Sequence, residues 1–268
     1  MRIRSIVCVL AVTACGLLAL DLAAAPAGAA QRGQSGAELA VPPPPTPRWP
    51  DGKPIMGSVP GQGVGGWGAG VTTLPREQLD DIPFQPWARA VYDMRQIDQF
   101  EPHTRCKASG VSRQFSTPYG TEFVEVRELE RMYIMDNGGP NSYRIIYLDG
   151  RSFPDVPLGT WMGYSIGRYD GDALVIETRQ FRGWEENAHR WLDRLGHPFS
   201  DELKVVERFR RTAPDTMVNE ITIDDPVAYT RPWTATMTYR LRPKDFEMGE
   251  FICNELMLSD LPDMRPGQ

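Results

Sequence analysis

The sequence predicts an all-β protein in which an antiparallel meander closes into a barrel or a strongly curved sheet. The segment 163–178 (GYSIGRYDGDALVIET) places strand formers on both sides of Asp170-Gly171, a pair typical of two-residue hairpin turns. The segment 233–242 alternates apolar and polar side chains without a break, as expected for a strand with one wet face. Short connections without crossover helices separate most of the predicted strands, which favours antiparallel neighbours.

The predicted strands begin near Thr121 and continue to the C-terminal region. Turn pairs such as Asp149-Gly150 separate them. A meander of this many strands tends to close because closure removes its exposed edges, so we expect a lipocalin- or calycin-like barrel. The predicted strands are 122–126, 131–136, 143–148, 162–169, 173–178, 204–210, 217–224, 233–242 and 250–255.

Two segments show helical periodicity. In 85–100, apolar residues recur every three or four positions, which predicts an amphipathic helix that packs on the sheet or plugs one end of it. This stripe consists of Trp87, Ala90, Val91, Met94 and Ile97. The segment 183–196 is either a short helix lying over a barrel mouth or an ordinary packed loop.

The first thirty residues have the pattern of an export signal. Arg2 and Arg4 precede an apolar run over 6–20, and Ala27-Gly28-Ala29 matches a signal-peptidase site. The apolar run is too short for a permanent membrane span. We therefore expect a soluble periplasmic or secreted protein, with a lipoprotein anchored at Cys15 as the alternative.

The mature chain divides into an arm and a domain. Residues 31–80 contain a proline-rich run at 41–47 and a glycine-rich run at 61–70, which indicates an extended arm. Residues 81–268 are expected to form a single β domain. The net charge of −6 argues against nucleic acid as a partner, and no later segment is apolar enough to span a membrane.

Two cysteines remain after removal of the signal, Cys106 and Cys253. In an oxidising compartment they are expected to form a disulfide. The alternatives are free buried thiols, or a zinc site in which both cysteines join His103 and Glu255.

The most informative candidate for chemistry is Glu207. It shares one strand face with apolar neighbours such as Val205 and Phe209, and a buried carboxylate must be paired or its pKa rises. One interpretation is an internal ion pair with Arg144 or Arg168. The other is a polar group lining a cavity, as a ligand anchor or as a general acid/base assisted by His197.

Further candidates are ligand-binding rather than catalytic. Glu177 lies near a strand end, and Arg231 precedes a predicted strand, where it is a candidate cation for an acidic ligand. Several aromatic residues would either line a cavity or fill a core. The ligand-binding candidates are Glu177, Arg144, Arg231, Trp161, Tyr164 and Trp233. No phosphate-binding loop, zinc-protease motif or serine-hydrolase motif occurs in the sequence, so we expect no cofactor.

Eight motifs together resemble a large, poorly characterised family of exported bacterial proteins. The family often has histidine where this chain has Phe199 and Lys204, and it is proline-rich where this chain reads KASGVSR after Cys106. These departures argue against a histidine-based site in this chain. The matching segments are PRWPDGKP (47–54), PFQPWARAVY (83–92), PHTRC (102–106), IYLDGRSFP (146–154), WMGYSIGRYDGDALVIET (161–178), WLDRLGHPFSDELKVVERFRR (191–211), TIDDPVAYTRPWT (222–234) and CNE (253–255).

These observations lead to one expected function and two alternatives. We expect an exported barrel that binds a small, partly apolar molecule. The first alternative is a cofactor-free exported enzyme, an isomerase, lyase or hydrolase, with Glu207 as its acid/base. The second is an envelope scaffold or interaction protein.

Overall fold

The computed structural model describes most of the chain from Pro45 onwards. The described residues are 45–62, 65–69, 78–98, 101–106, 108, 110–114, 117, 119–136, 138, 142–155, 159–182, 191–250 and 253. The predicted signal peptide and the proline-rich run as far as residue 44 lie outside them. Within these residues, no helix has the length and apolar character needed to cross a membrane.

Nine strands form a closed barrel in sequence order, which confirms the predicted fold class. Each strand pairs with the next, and β1 closes the barrel against β9. In the described part of the chain, two helices and two short 3₁₀ turns accompany the strands. The elements are β1 (Gly66–Gly68), α1 (Pro86–Asp98), a 3₁₀ turn (Pro102–Arg105), α2 (Val111–Gln114), β2 (Thr121–Val126), a 3₁₀ turn (Arg127–Leu129), β3 (Arg131–Asp136), β4 (Tyr143–Tyr147), β5 (Tyr164–Asp170), β6 (Ala173–Arg179), β7 (Lys204–Ala213), β8 (Thr216–Asp224) and β9 (Trp233–Leu241).

The predicted hairpin is present between β5 and β6, with its turn displaced by one residue. Asp170 pairs with Ala173, so the two central residues are Gly171 and Asp172. Gly171 has φ +56°. Glycine at the first central position with positive φ is the requirement of a type II′ hairpin, whose twist matches that of the flanking strands.

One strand pair departs from the predicted antiparallel meander. β4 and β5 are parallel, with Ile146 opposite Ser165. The segment 148–163 joins them and returns the chain to the end of the barrel from which β4 started. A parallel pair always needs such a crossover, and the described parts of this one, 148–155 and 159–163, contain no helix that the sequence pattern could have indicated.

The barrel interior is filled mainly by apolar side chains from alternate positions. Trp67, Phe123, Phe209 and Tyr239 are among the largest side chains that are almost fully buried. Phe123 and Phe209 meet edge to face with ring centroids 5.3 Å apart. Close packing of such side chains supplies the main free-energy gain of folding.

Both ends of the barrel are covered. At one end, residues 45–58 cross the strand ends: Arg48 pairs with Asp172, and the Arg211 guanidinium donates to the carbonyl of Ile55. At the other end lie α1, α2 and the loop 191–203. We call the latter the α1 end of the barrel.

The apolar stripe of α1 does not pack as predicted. Met94 is 49% exposed and Ile97 is 86% exposed, whereas Ala88 and Arg95 are buried. The Arg95 guanidinium donates to the carbonyl of Gly196, and its aliphatic stem adds to the buried contact. The buried face of the helix therefore includes Ala88 and Arg95, and Arg95 contacts the loop 191–203. Hydrophobic periodicity does not identify this face, because it does not count a long polar side chain as buried.

Three further predictions concern strands and the possible lid. The arm segment contributes β1, and Trp67 lies in the core. The predicted strand 250–255 is not observed at Glu250, and Cys253 has helical backbone geometry; the rest of that segment lies outside the described residues. Most of the predicted lid, 183–190, also lies outside them, while 191–196 is not helical.

Candidate functional site

Glu207 lies inside the barrel and is paired with Arg144. Its Oε2 accepts a hydrogen bond of 2.7 Å from the Arg144 guanidinium, and neither side chain has solvent-accessible surface. The same guanidinium nitrogen donates to the hydroxyl of Thr178 at 3.0 Å and lies 3.4 Å from the Ser165 hydroxyl. Arg144 is thus the partner that the ion-pair interpretation named as one of two candidates.

The neighbouring side chains complete a polar network within the apolar interior. Ser165 and Thr178 share a hydrogen bond of 2.9 Å. Burial, together with the charge of Glu207, raises the pKa of Tyr239, so this phenol stays protonated. Because the ion pair has no accessible surface, no water-filled space adjoins Glu207 in this conformation. The network stabilises one arrangement of the strands.

His197 is not a surface residue but part of the cover at the α1 end. Its Nδ1 lies 2.7 Å from the Asp193 carboxylate, and both residues are buried. The ring stacks on Tyr92 at 4.8 Å and on Phe84 at 5.7 Å between centroids. The two predicted catalytic residues have different partners, His197 pairing with Asp193 and Glu207 with Arg144, and among the described residues no hydrogen bond joins them.

The predicted ligand-binding residues are dispersed around the barrel. Glu177 points outwards and pairs with Arg179. Tyr164 lies on the outer wall, where its hydroxyl accepts from Arg151. Arg231 is exposed between β8 and β9, whereas Trp233 is buried. Trp161 is half-buried before β5, under the Arg182 guanidinium. No single site unites these residues.

The predicted disulfide is confirmed. Cys106 and Cys253 have an S–S distance of 2.06 Å and a Cα–Cα distance of 5.6 Å. The bond removes both thiolates from the alternative zinc site with His103. Among the described residues, no group of three or more histidine, cysteine, aspartate or glutamate side chains is placed to hold a metal ion.

A cleft of about 700 Å³ opens on the outside of the barrel at the α1 end. We call it the rim cleft. It lies where β6 ends, β7 begins and β8 ends, and the β4–β5 crossover forms its outer wall. Its lining residues are Phe153, Gly159, Arg179, Gln180, Phe181, Asp201, Glu202, Leu203, Lys204, Asp224 and Pro226.

The walls of the rim cleft are held by specific contacts. Thr160 and Phe181 form a bridge between the crossover and the chain after β6, and the Gln180 amide donates to the carbonyl of Pro154. Gln180 adopts φ +59°, a conformation that is uncommon for a residue other than glycine. Such backbone geometry persists only where surrounding contacts enforce it.

Sequence reasoning did not single out most of the cleft residues as a site. They come from four separate segments: three follow from the neighbouring ends of β6, β7 and β8, and the crossover between β4 and β5 adds Phe153 and Gly159. Asp193 was also missed as the partner of His197, although its spacing of four residues, with Gly196 between them, was available as a signal. Gly196 has φ +90°, which lets the turn bring the two side chains together.

Comparison with known proteins gives no relative for this chain. No family model, curated protein or solved structure matches it. The site must therefore be interpreted from its own geometry.

A further buried carboxyl, Asp136, is expected to make stability depend on pH. Its Oδ1 accepts from Thr117 at 2.8 Å and from the Gly138 N–H at 3.1 Å, whereas its Oδ2 is buried without a hydrogen-bond partner. Burial raises its pKa from 3.8 to about 7, against the opposing influence of Thr117, Gly138 and Arg113.

We expect Asp136→Asn to reduce the pH dependence of stability. The folded-state pKa of Asp136 exceeds the unfolded value, so its contribution is full below pH 3.8 and is lost as the pH rises through about 7. The wild-type free energy of unfolding should fall by up to about 4 kcal/mol more than that of the variant between these limits. Urea unfolding at a series of pH values measures this, and parallel pH profiles for the two proteins would contradict it.

Proposed function

We propose that this chain is an exported protein that binds a small, partly apolar molecule in the rim cleft. The observation that carries the proposal is the cleft itself, whose volume of about 700 Å³ lies within the range of roughly 300–1,000 Å³ typical of ligand pockets. Phe181 and Leu203 are buried and give it an apolar floor. Charged side chains from β6, β7 and β8 surround that floor, which is the combination that orients a small ligand.

The barrel centre is the weaker candidate. A hydrogen bond of 2.7 Å joins Arg144 to Glu207 inside the barrel, and neither side chain has accessible surface. A ligand there would have to displace packed side chains and break a buried ion pair. The acid/base role of Glu207 requires such an opening, whereas the rim cleft is already open.

Export is supported by two features that are independent of the cleft. The first thirty residues have the composition of a signal peptide, with Ala27-Gly28-Ala29 at the expected cleavage site. The Cys106–Cys253 disulfide suits an oxidising compartment such as the periplasm or the cell exterior.

A ligand screen with a cleft variant tests the proposal. Compounds that bind the mature protein are first found by thermal shift. We expect Phe153→Ala to lower their binding affinity by about tenfold, since the substitution removes an aromatic wall of the cleft. Tyr143→Ala is the matched control, because it removes an aromatic ring that is 60% exposed on β4, outside the cleft lining. Titration calorimetry gives the affinities. Ligands that bind both variants as tightly as the wild type would place the site elsewhere and defeat the proposal.

A further inference from the structure

Some of the charged side chains that line the rim cleft have ion-pair partners among the described residues, and others do not. Both cations already have carboxylate partners: Lys204 lies 2.5 Å from Asp224 across the β7–β8 pair, and Arg179 pairs with Glu177 on its own strand. These pairs neutralise the positive charge in the cleft wall. An anionic ligand would have to compete with them.

Two carboxylates in the same wall have no such partner. Asp201 and Glu202 lie in the loop immediately before β7 and are exposed, and neither takes part in an ion pair with another described residue. The cleft thus carries an excess of negative charge beside an apolar floor. Because the two cations are neutralised by their own carboxylate partners, the unpaired Asp201 and Glu202 leave a local negative field that attracts a positively charged group.

An aromatic ring in the cleft already accepts a cation. The Arg179 guanidinium lies over the Phe153 ring, 5.0 Å from its centroid. The Phe153 ring thus holds a planar cationic group, and a ligand cation that takes the place of the Arg179 guanidinium would gain the same attraction to the ring face.

We propose that the ligand of the rim cleft is an organic cation, in which an ammonium or amidinium group is attached to a flat apolar body. This rests on the proposed function and names its ligand class. The apolar body lies on Phe181 and Leu203, and the cationic group lies towards Asp201 and Glu202.

Three probes with the same ring and different charge test this class: benzylamine, which is protonated at neutral pH, benzyl alcohol and benzoate. We expect benzylamine to bind most tightly and benzoate least, with a ratio of about tenfold or more between them. Added salt should reduce the ratio of the benzylamine affinity to the benzoate affinity, because the two carboxylates are exposed and salt screens their field.

The paired variant Asp201→Asn/Glu202→Gln should lower the affinity for benzylamine to the level of the affinity for benzyl alcohol. Its affinity for benzyl alcohol should equal that of the wild type. The control Glu128→Gln/Glu220→Gln makes the same change in net charge at exposed positions outside the cleft lining and should leave all three affinities unchanged. Titration calorimetry or NMR titration measures each affinity.

Three results would overturn the assignment of an organic cation. These are equal or tighter binding of benzoate, an affinity for benzylamine that the paired variant does not alter, and no binding of any probe at millimolar concentration. They leave the proposed function standing as long as ligands from the screen remain sensitive to Phe153→Ala. Ligands indifferent to Phe153→Ala would refute the proposed function itself.

Discussion

Glu207→Gln should lower the free energy of unfolding by about 3–5 kcal/mol, the cost of breaking a buried ion pair from one side. Glutamine keeps the shape of the side chain but removes its charge, so the Arg144 guanidinium remains charged in the barrel interior without its carboxylate. Chemical unfolding measures the loss. Glu220→Gln, at an exposed position on β8, is the matched control and should change stability by no more than about 0.5 kcal/mol.

The double variant Arg144→Met/Glu207→Leu separates the two interpretations of this pair. If the pair is structural, replacing both charges by apolar side chains of similar size should restore much of the stability, because no charge is then left buried alone. The affinity of the rim cleft for its ligands should be unchanged in both variants. A stable Glu207→Gln variant that has lost ligand binding or turnover would instead support the role of Glu207 as an anchor or acid/base.

Cys106→Ser/Cys253→Ser should lower the free energy of unfolding by about 5 kcal/mol. The two cysteines are separated by 147 positions, and closing so long a loop removes much of the conformational entropy of the unfolded chain. The closed loop contains β2 to β9, so the bond restrains nearly the whole barrel. Urea unfolding of the mature protein measures the effect.

Reduction provides the control for the disulfide prediction. Dithiothreitol should bring the wild-type protein to the stability of the serine variant and should have no effect on that variant. Mass spectrometry of the exported protein should show the two cysteine peptides linked. Two thiols that react with an alkylating reagent before reduction would contradict the prediction.

The barrel was predictable because local sequence patterns indicate most of its strands. The alternation in β9 and the turn residues between β5 and β6 fix both the strands and their pairing, since each depends only on near neighbours. β1 was not predicted because Gly-Trp-Gly is too short to show alternation and two of its three residues are glycine, which is depleted in strands. It pairs with β9 and β2 through its backbone, and Trp67 inserts into the core.

The candidate site was less predictable than the fold. The position of Glu207 on an apolar strand face indicated burial correctly, and Arg144 was one of its two candidate partners. The rim cleft depends on the parallel β4–β5 pair and on where the crossover lies, and both are set by contacts between distant segments. The helix α1 is present as predicted, but its packing face was wrong for a related reason, because Arg95 is buried by a hydrogen bond to a loop that is remote in sequence.

The location of the bound ligand tests the central claim most directly. Nuclear Overhauser effects between a ligand from the screen and methyl-labelled mature protein report which leucine and isoleucine side chains it touches. We expect contacts to Leu203 in the rim cleft and none to Ile176 or Ile221, which pair with Glu207 inside the barrel. Contacts to Ile176 and Ile221 without contacts to Leu203 would show that the barrel interior opens to bind the ligand and would contradict the account.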